Sequence, residues 1–255
     1  MSALPLLAPA QNDPFASTHW SVIVAAGNGA SEPERARAAL AELCQTYWTP
    51  LYTFVRTRGY SVHDAQDLTQ SFFVHLIEHE IYARTERAKG LFRSFLLAAL
   101  KNFLADAYTH AHRLKRGGAE IFVPLDEERV EAAESLFQTH CANGELREDR
   151  LFERSWAEAL VHAGLERLSA EYESGGKQTL FQQLRIFLTG SAKPLPAYDQ
   201  LAGEMGMPTS TLRSHVTRLR MRYRELLRAE VRQTVETDAE VDGELRELFR
   251  VLAGG

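Results

Sequence analysis

The sequence predicts an all-α fold: two helical domains joined by an acidic flexible linker, the second containing a helix-turn-helix. Three observations predict it. Apolar residues recur at spacings of three and four in almost every readable segment, and strand-like alternation is scarce. Glycine, proline and small hydroxyl residues sit where helices of ordinary length should start and stop. Charge also changes sign in blocks. Residues 84–118 carry eight basic side chains against Glu86 and Asp106, whereas 119–153 carry ten acids against three arginines. Residues 211–232 carry seven arginines against Glu225 and Glu230, and the last twenty residues turn acidic again. Such alternation predicts two binding surfaces with a solvated connection between them.

Taken in order, residues 1–16 read as a disordered tail and 17–116 as the first helical domain. Thr18 can cap a short helix over 19–26, and a second helix spans about 34–46. Thr49 followed by Pro50 predicts a fresh helix start that Gly59 ends. Ser61 and Asp64 make a capping-box-like start for a helix whose inner stripe is Val62, Ala65, Leu68, Phe72 and Leu76. A longer helix over 91–113 places Phe92, Phe95, Ala99, Phe103 and Ala107 on one side, and Gly117-Gly118 ends it. Residues 117–150 are the expected acidic linker, weakly periodic and broken by Pro124. The second domain covers 151–235, with loops at Gly175-Gly176 and 189–196, and 236–255 form an acidic helical tail.

Bulk composition narrows the function classes. A chain of 255 residues with 45% apolar and 25% charged residues is of ordinary globular make-up. No apolar run approaches the ~20 residues of a membrane helix, and the start has no basic leader. A cytoplasmic location without a membrane partner is expected. Cys44 and Cys141 form neither a disulfide framework nor a CxxC pair. No cofactor, no metal and no catalytic residue is expected. Cys44, Trp48 and Trp156 read as core residues, as does Trp20.

The most informative stretch is residues 198–227, YDQLAGEMGMPTSTLRSHVTRLRMRYRELL. Leu201, Ala202 and Met205 form the inner face of a short helix, and Gly206 permits a sharp turn. A second helix begins near Thr209 with Leu212, Val216 and Leu219 inward. That is the pattern by which a tight turn sets one helix across another for entry into a major groove. Arg213, Ser214, Thr217, Arg218 and Arg220 point outward, residue types that bond base edges. Arg222 and Arg224 suit phosphates.

Residues 61–76, SVHDAQDLTQSFFVHL, followed by GLFRSFLLAALKNFLADAY over 90–108 and then this helix-turn-helix, resemble a bacterial sigma factor of the extracytoplasmic-function type. The resemblance covers about 18–116 and 151–230. It implies a transcription initiation factor that is not an enzyme, with core RNA polymerase (clamp and flap) and promoter DNA as partners. It assigns polymerase docking to Asp64, Asp67, Leu68, Gln70 and Phe72. Minus-ten recognition falls to Arg93, Lys101, Asn102, Asp106 and Arg113, and minus-thirty-five recognition to Arg213, Ser214, Thr217, Arg218 and Arg220. Gln66 and Ser71 stand where the family carries acids, so phosphorylation at Thr69 or Ser71 by a Ser/Thr kinase could restore the negative charge. An anti-sigma protein is the other regulatory partner to expect. The segment 171–196 is longer than the family's usual connection.

Two competing readings remain open. A stand-alone helix-turn-helix regulator accounts for 198–227 but gives 61–116 no role. His75, Glu78 and His79 match the HxxEH spacing of inverted zinc metalloproteases, a short pattern without a marked third ligand.

Overall fold

The computed structural model describes residue 19 and residues 21–23, 33–78, 91–111, 127–142, 148–189 and 195–254. These are all-helical, with no strand among them. Ten helices can be delimited: α1 Pro33–Thr57, α2 Val62–Glu78, α3 Phe92–Ala111, α4 Glu127–Ala142, α5 Glu148–Ser174, α6 Gln178–Leu184, α7 Ile186–Thr189, α8 Tyr198–Glu204, α9 Thr209–Gln233 and α10 Asp238–Leu252. None of them is long and apolar enough to cross a membrane.

The expected break at Thr49-Pro50 is absent, and α1 runs through Pro50. A mid-helix proline forfeits a backbone bond at a cost of about 3 kcal/mol. Here Tyr47, Trp48, Leu51, Tyr52, Phe54 and Val55 are all buried around it. Each large side chain withdrawn from water is worth roughly 1.5–3 kcal/mol, so packing outweighs the proline. Trp48 and Tyr52 stack at 5.0 Å, and Tyr47 meets Phe92 of α3 edge-on at 4.9 Å. Gly59 ends the helix as expected, with φ of +87° and its N–H donated to the Arg56 carbonyl at 3.0 Å.

The start of α2 is also as expected. The Asp64 N–H donates to Ser61 Oγ at 3.1 Å, and the Ser61 hydroxyl donates to the Asp64 carboxylate at 2.7 Å. Its inner stripe is Ala65, Phe72, Phe73 and Leu76, with Leu68 half-buried; Val62 stays 40% exposed at the helix end. On α3 the deepest row is Phe92, Leu96, Leu100 and Leu104, one step round from the predicted side, while Phe95, Ala99 and Phe103 are half-buried. The helix is apolar over more of its circumference than a single stripe requires, so the flanking row could go deeper.

The acidic stretch holds the largest departure. Its residues 127–142 form α4, which packs on α1. Glu134 accepts from Arg56 Nε at 2.8 Å and Nη2 at 2.7 Å, and from the Tyr52 hydroxyl at 2.7 Å. Arg56 also lies 4.6 Å from the Phe137 ring centroid, and Ala133 is fully buried. A bidentate, partly desolvated pair of this kind fixes a helix that periodicity alone does not announce.

Two hydrophobic clusters organise the rest. The first joins α1, α2, α3 and Ala133 of α4 to Trp156 of α5, to Leu227, Val231 and Val235 around the end of α9, and to Val241, Leu248 and Val251 of α10. It draws on residues from both sides of the expected linker, and the His19 N–H reaches Gln233 Oε1 at 3.1 Å. The second cluster is Leu168 of α5, Phe181, Leu184 and Phe187 of α6 and α7, Leu201 and Ala202 of α8, and Leu212, Val216, Leu219 and Leu226 of α9. The acidic tail is α10, and it packs on α5 and α9. It is pinned by Arg232–Asp238 at 2.5 Å and by Arg228–Asp242, both on the C-terminal half of α9.

Candidate nucleic-acid interface

The α8–α9 turn is closed by backbone chemistry. Gly206 has φ of +62°, a conformation costly for any residue with a Cβ. The Met207 N–H bonds the Ala202 carbonyl at 3.0 Å and the Gly206 N–H the Gly203 carbonyl at 3.2 Å, the paired bonds of a Schellman cap. Met207 and Ala202 both belong to the second cluster, the apolar contact that accompanies such a cap. Thr209, at the start of α9, donates its hydroxyl to Asp199 of α8 at 2.8 Å. With Leu212, Val216 and Leu219 buried, the opposite side of α9 is exposed.

That side carries Arg213, Ser214, Thr217 and Arg218, all exposed as expected. The Ser214 and Thr217 hydroxyls donate to the carbonyls of Ser210 and Arg213 at 3.0 and 2.9 Å, which leaves their lone pairs outward. Met221, 57% exposed, and Arg224 extend the row. Among the described residues, Arg213, Arg218 and Arg224 have no carboxylate partner. The remaining arginines of the helix are engaged. Arg220 donates to the Phe187 carbonyl from Nε at 3.4 Å and Nη2 at 3.3 Å, so it braces α7. Arg222 is bidentate to Glu171, at 2.8 and 2.6 Å, and also reaches Glu225. Those bonds, Glu171's first, push its pKa up.

The residues assigned to minus-ten recognition are less available. Arg93 requires correction: its side chain is 9% exposed, paired with Glu244 of α10 at 2.8 Å and with Glu153 at 3.4 Å. Its guanidinium also lies 4.5 Å from the Trp156 ring centroid. It is part of the core and not of a surface. Lys101 is half-exposed, pairs with Asp149 at 2.6 Å and leans over Phe54. Asn102 and Asp106 are exposed on the outer face of α3. Arg113 lies outside the described residues.

On α2, Asp64 and Asp67 are exposed, Leu68 and Gln70 half-buried. Phe72 is fully buried and packs 5.6 Å from Phe103 of α3, so it is a core residue and not a docking contact. Thr69 is likewise corrected: it is fully buried, and its hydroxyl donates to the Ala65 carbonyl at 2.7 Å. A kinase cannot reach it in this structure, whereas Ser71 is exposed. Of the HxxEH residues, His75 is half-buried with its ring 5.3 Å from Phe103; the Glu78 side chain and His79 lie outside what is described. Among the described residues no three His, Cys, Asp or Glu side chains come together to hold a metal ion. Cys44 is buried, which pushes its thiol pKa up and leaves it unreactive.

Sequence reading missed the aromatic brace beside the exposed row. Tyr198, the first residue of α8, stacks on Phe187 of α7 at 5.0 Å and 13°, and the Arg213 guanidinium sits 5.7 Å from the Tyr198 ring centroid. A tyrosine opening the helix before a glycine turn, eleven residues after a phenylalanine, is too common a pattern to have signalled it. No family model, no curated protein and no solved structure matches this chain.

Proposed function

We propose that the chain is a sigma-type transcription initiation factor that docks on core RNA polymerase and reads promoter DNA, with no catalytic site of its own. The observation that carries this reading is the row Arg213, Ser214, Thr217 and Arg218: exposed, without carboxylate partners among the described residues, on a helix joined to its predecessor by a glycine turn. Arginine forks suit guanine edges, and unpaired cations supply the salt-dependent attraction to phosphates. In this reading α8 and α9 form the helix-turn-helix and α9 enters the major groove. The exposed Asp64 and Asp67 of α2 meet a basic polymerase surface, and Asn102 and Asp106 of α3 face bases that have left the stack. Residues 17–116 and 151–235 act as the two contact units of a cytoplasmic protein. Charge-based control at the docking helix falls to Ser71, since Thr69 is buried.

One observation favours a second reading, the stand-alone helix-turn-helix regulator. Of the basic residues described on α3, Arg93 is buried and Lys101 is paired with Asp149, whereas α9 presents Arg213, Arg218 and Arg224 with no carboxylate partner among the described residues. Run-off transcription with purified core RNA polymerase on fragmented genomic DNA separates the two. The sigma reading expects discrete start sites that depend on the chain and vanish for Asp64→Lys/Asp67→Lys. Specific DNA retention without any chain-dependent start site overturns it in favour of the regulator.

A further inference from the structure

We propose that Tyr198 is a positioning residue for Arg213, and that α6 and α7 exist in this chain to hold Tyr198 in place. The inference rests on the reading of α9 as a DNA-contacting helix and deepens it.

Three contacts form a circuit that leaves α9 and returns to it. Arg220 of α9 holds the Phe187 carbonyl with Nε and Nη2 at 3.4 and 3.3 Å. The Phe187 ring, buried in the second cluster, stacks on Tyr198 at 5.0 Å with the planes 13° apart. Tyr198 in turn carries the Arg213 guanidinium at 5.7 Å from its ring centroid. Arg213 stands seven residues, two helical turns, before Arg220 on α9. The nearby Asp199 carboxylate accepts from Thr209 at 2.8 Å, and no described carboxylate pairs with Arg213. The ring face is therefore the contact that biases where this guanidinium points.

An exposed arginine samples many rotamers and loses that freedom on binding. A face held against a buried neighbour narrows the choice before DNA arrives, which lowers the ordering cost and favours one docking geometry. A cation–π contact at an exposed site shifts a population by about 2- to 5-fold, so Tyr198 tunes recognition and does not create it. This gives the long segment before the helix-turn-helix a specific task. Phe181, Leu184 and Phe187 anchor α6 and α7 in the second cluster, and their product at the surface is one oriented ring. Tyr198 need not touch DNA to act.

The test has a DNA-free arm and a DNA arm, both on the full chain. With arginine side chains isotopically labelled, the Arg213 δ-protons of the free protein are expected upfield from the ring current, and at ordinary values in Tyr198→Leu. An Arg213 signal that Tyr198→Leu leaves unmoved overturns the inference. For the DNA arm, duplexes are selected from a random-sequence pool with the chain in the presence of core RNA polymerase. The ratio of affinities for the selected duplex and a scrambled one is then measured. Arg213→Ala is expected to lower that ratio about tenfold or more, and Tyr198→Leu about 2- to 5-fold. Tyr198→Phe, which keeps the ring, should match wild type, and the Tyr198→Leu/Arg213→Ala double variant should fall no lower than Arg213→Ala. If Tyr198→Leu lowers the ratio by the same factor in the Arg213→Ala background, Tyr198 acts by another route and the inference is wrong while the DNA reading stands. If Arg213→Ala leaves the ratio unchanged, or no duplex is enriched, the DNA reading itself falls and takes the inference with it. Should Tyr198→Leu fold poorly, Tyr198→Met replaces it in both arms.

Discussion

Two helices of the chain, α3 and α9, are each expected to meet DNA, and they treat their basic residues in opposite ways. α3 is packed over most of its circumference: Phe92, Leu96, Leu100 and Leu104 are buried, and Phe95, Leu97, Ala99 and Phe103 pack beside them. Its described cations are paired, Arg93 with Glu244 and Glu153, and Lys101 with Asp149. The first half of α9 buries only a narrow stripe, Leu212, Val216 and Leu219, and leaves Arg213 and Arg218 to solvent. Blocks of charge in a sequence are therefore not surfaces. The acidic stretches that look like a solvated linker and tail supply Glu134, Asp149, Glu153, Asp238, Asp242 and Glu244, the counter-ions of Arg56, Lys101, Arg93, Arg232 and Arg228. What remains available to a partner is the charge these acids do not reach.

The comparison breaks most readily at Arg93. Glu244 is 2% exposed at its side chain. Burial pushes its pKa up despite the opposing hydrogen bond and charge of Arg93, so the pair does not fully offset its own desolvation. Such a pair adds little net stability yet is costly to break, because the surviving charge has no water to turn to. Arg93→Ala is expected to cost about 3–5 kcal/mol in urea unfolding. Arg93→Met with Glu244→Leu should recover most of it. A cost under about 1 kcal/mol for Arg93→Ala would return that arginine to the surface and erase the contrast between the helices.

Acid sharpens the same point on α4. The Arg56 hydrogen bonds hold the Glu134 carboxyl down to about 2, from an ordinary value of 4.5. A depressed carboxylate contributes stability that is fully present above its unfolded value and is lost as pH falls through its folded one. The loss for Glu134 therefore runs from pH 4.5 down to about 2. It amounts to at most about 3 kcal/mol, reduced by the solvent that reaches one side of the pair. Glu230 and Glu244 run the other way, since burial raises both, and their protonation on acidification favours the fold. Glu134→Gln should flatten the acid limb of a stability-versus-pH curve relative to wild type. A limb of unchanged slope would mean that α4 does not dock through this carboxylate.

How far the sequence carried each region follows from the same physics. The two helices α8 and α9 and the turn between them were legible, because their determinants are local: Gly206, the apolar spacing on either side, and Arg213 and Arg218 with no acid within a turn. The helical character of α2 and α3 was equally local. What escaped was every feature set by a distant partner. The burial of Arg93 is decided by Glu244, 151 residues away, and the formation of α4 by Arg56, 78 residues away. Continuity of α1 through Pro50 depends on aromatic packing that no rule about proline contains. Thr69 falls outside the predicted stripe of Val62, Ala65, Leu68, Phe72 and Leu76, yet it lies one turn from Ala65 and shares its buried side.

The smallest expected effects compare the two helices directly. Arg218 of α9 is exposed and has no described carboxylate partner, so removing it breaks no ion pair among the described residues. Lys101 of α3 pairs with Asp149 at 2.6 Å, but both side chains are well exposed, 38% and 66%. An exposed pair is worth about 0–1 kcal/mol, since water solvates either partner alone. Arg218→Ala is therefore expected to leave thermal unfolding unchanged and to cost about 1–3 kcal/mol of binding to a duplex selected in the presence of core RNA polymerase. Lys101→Ala should lower stability by less than about 1 kcal/mol and leave that binding untouched, because its ammonium is already satisfied by Asp149. The slope of binding against salt reads the difference independently. Loss of a cation that neutralises a phosphate reduces it by about one ion, the change expected for Arg218→Ala, and Lys101→Ala should not change it. Equal slopes for the two variants would show that α3 and α9 contribute alike to the electrostatic footprint, and that the Lys101–Asp149 ion pair opens when DNA is present.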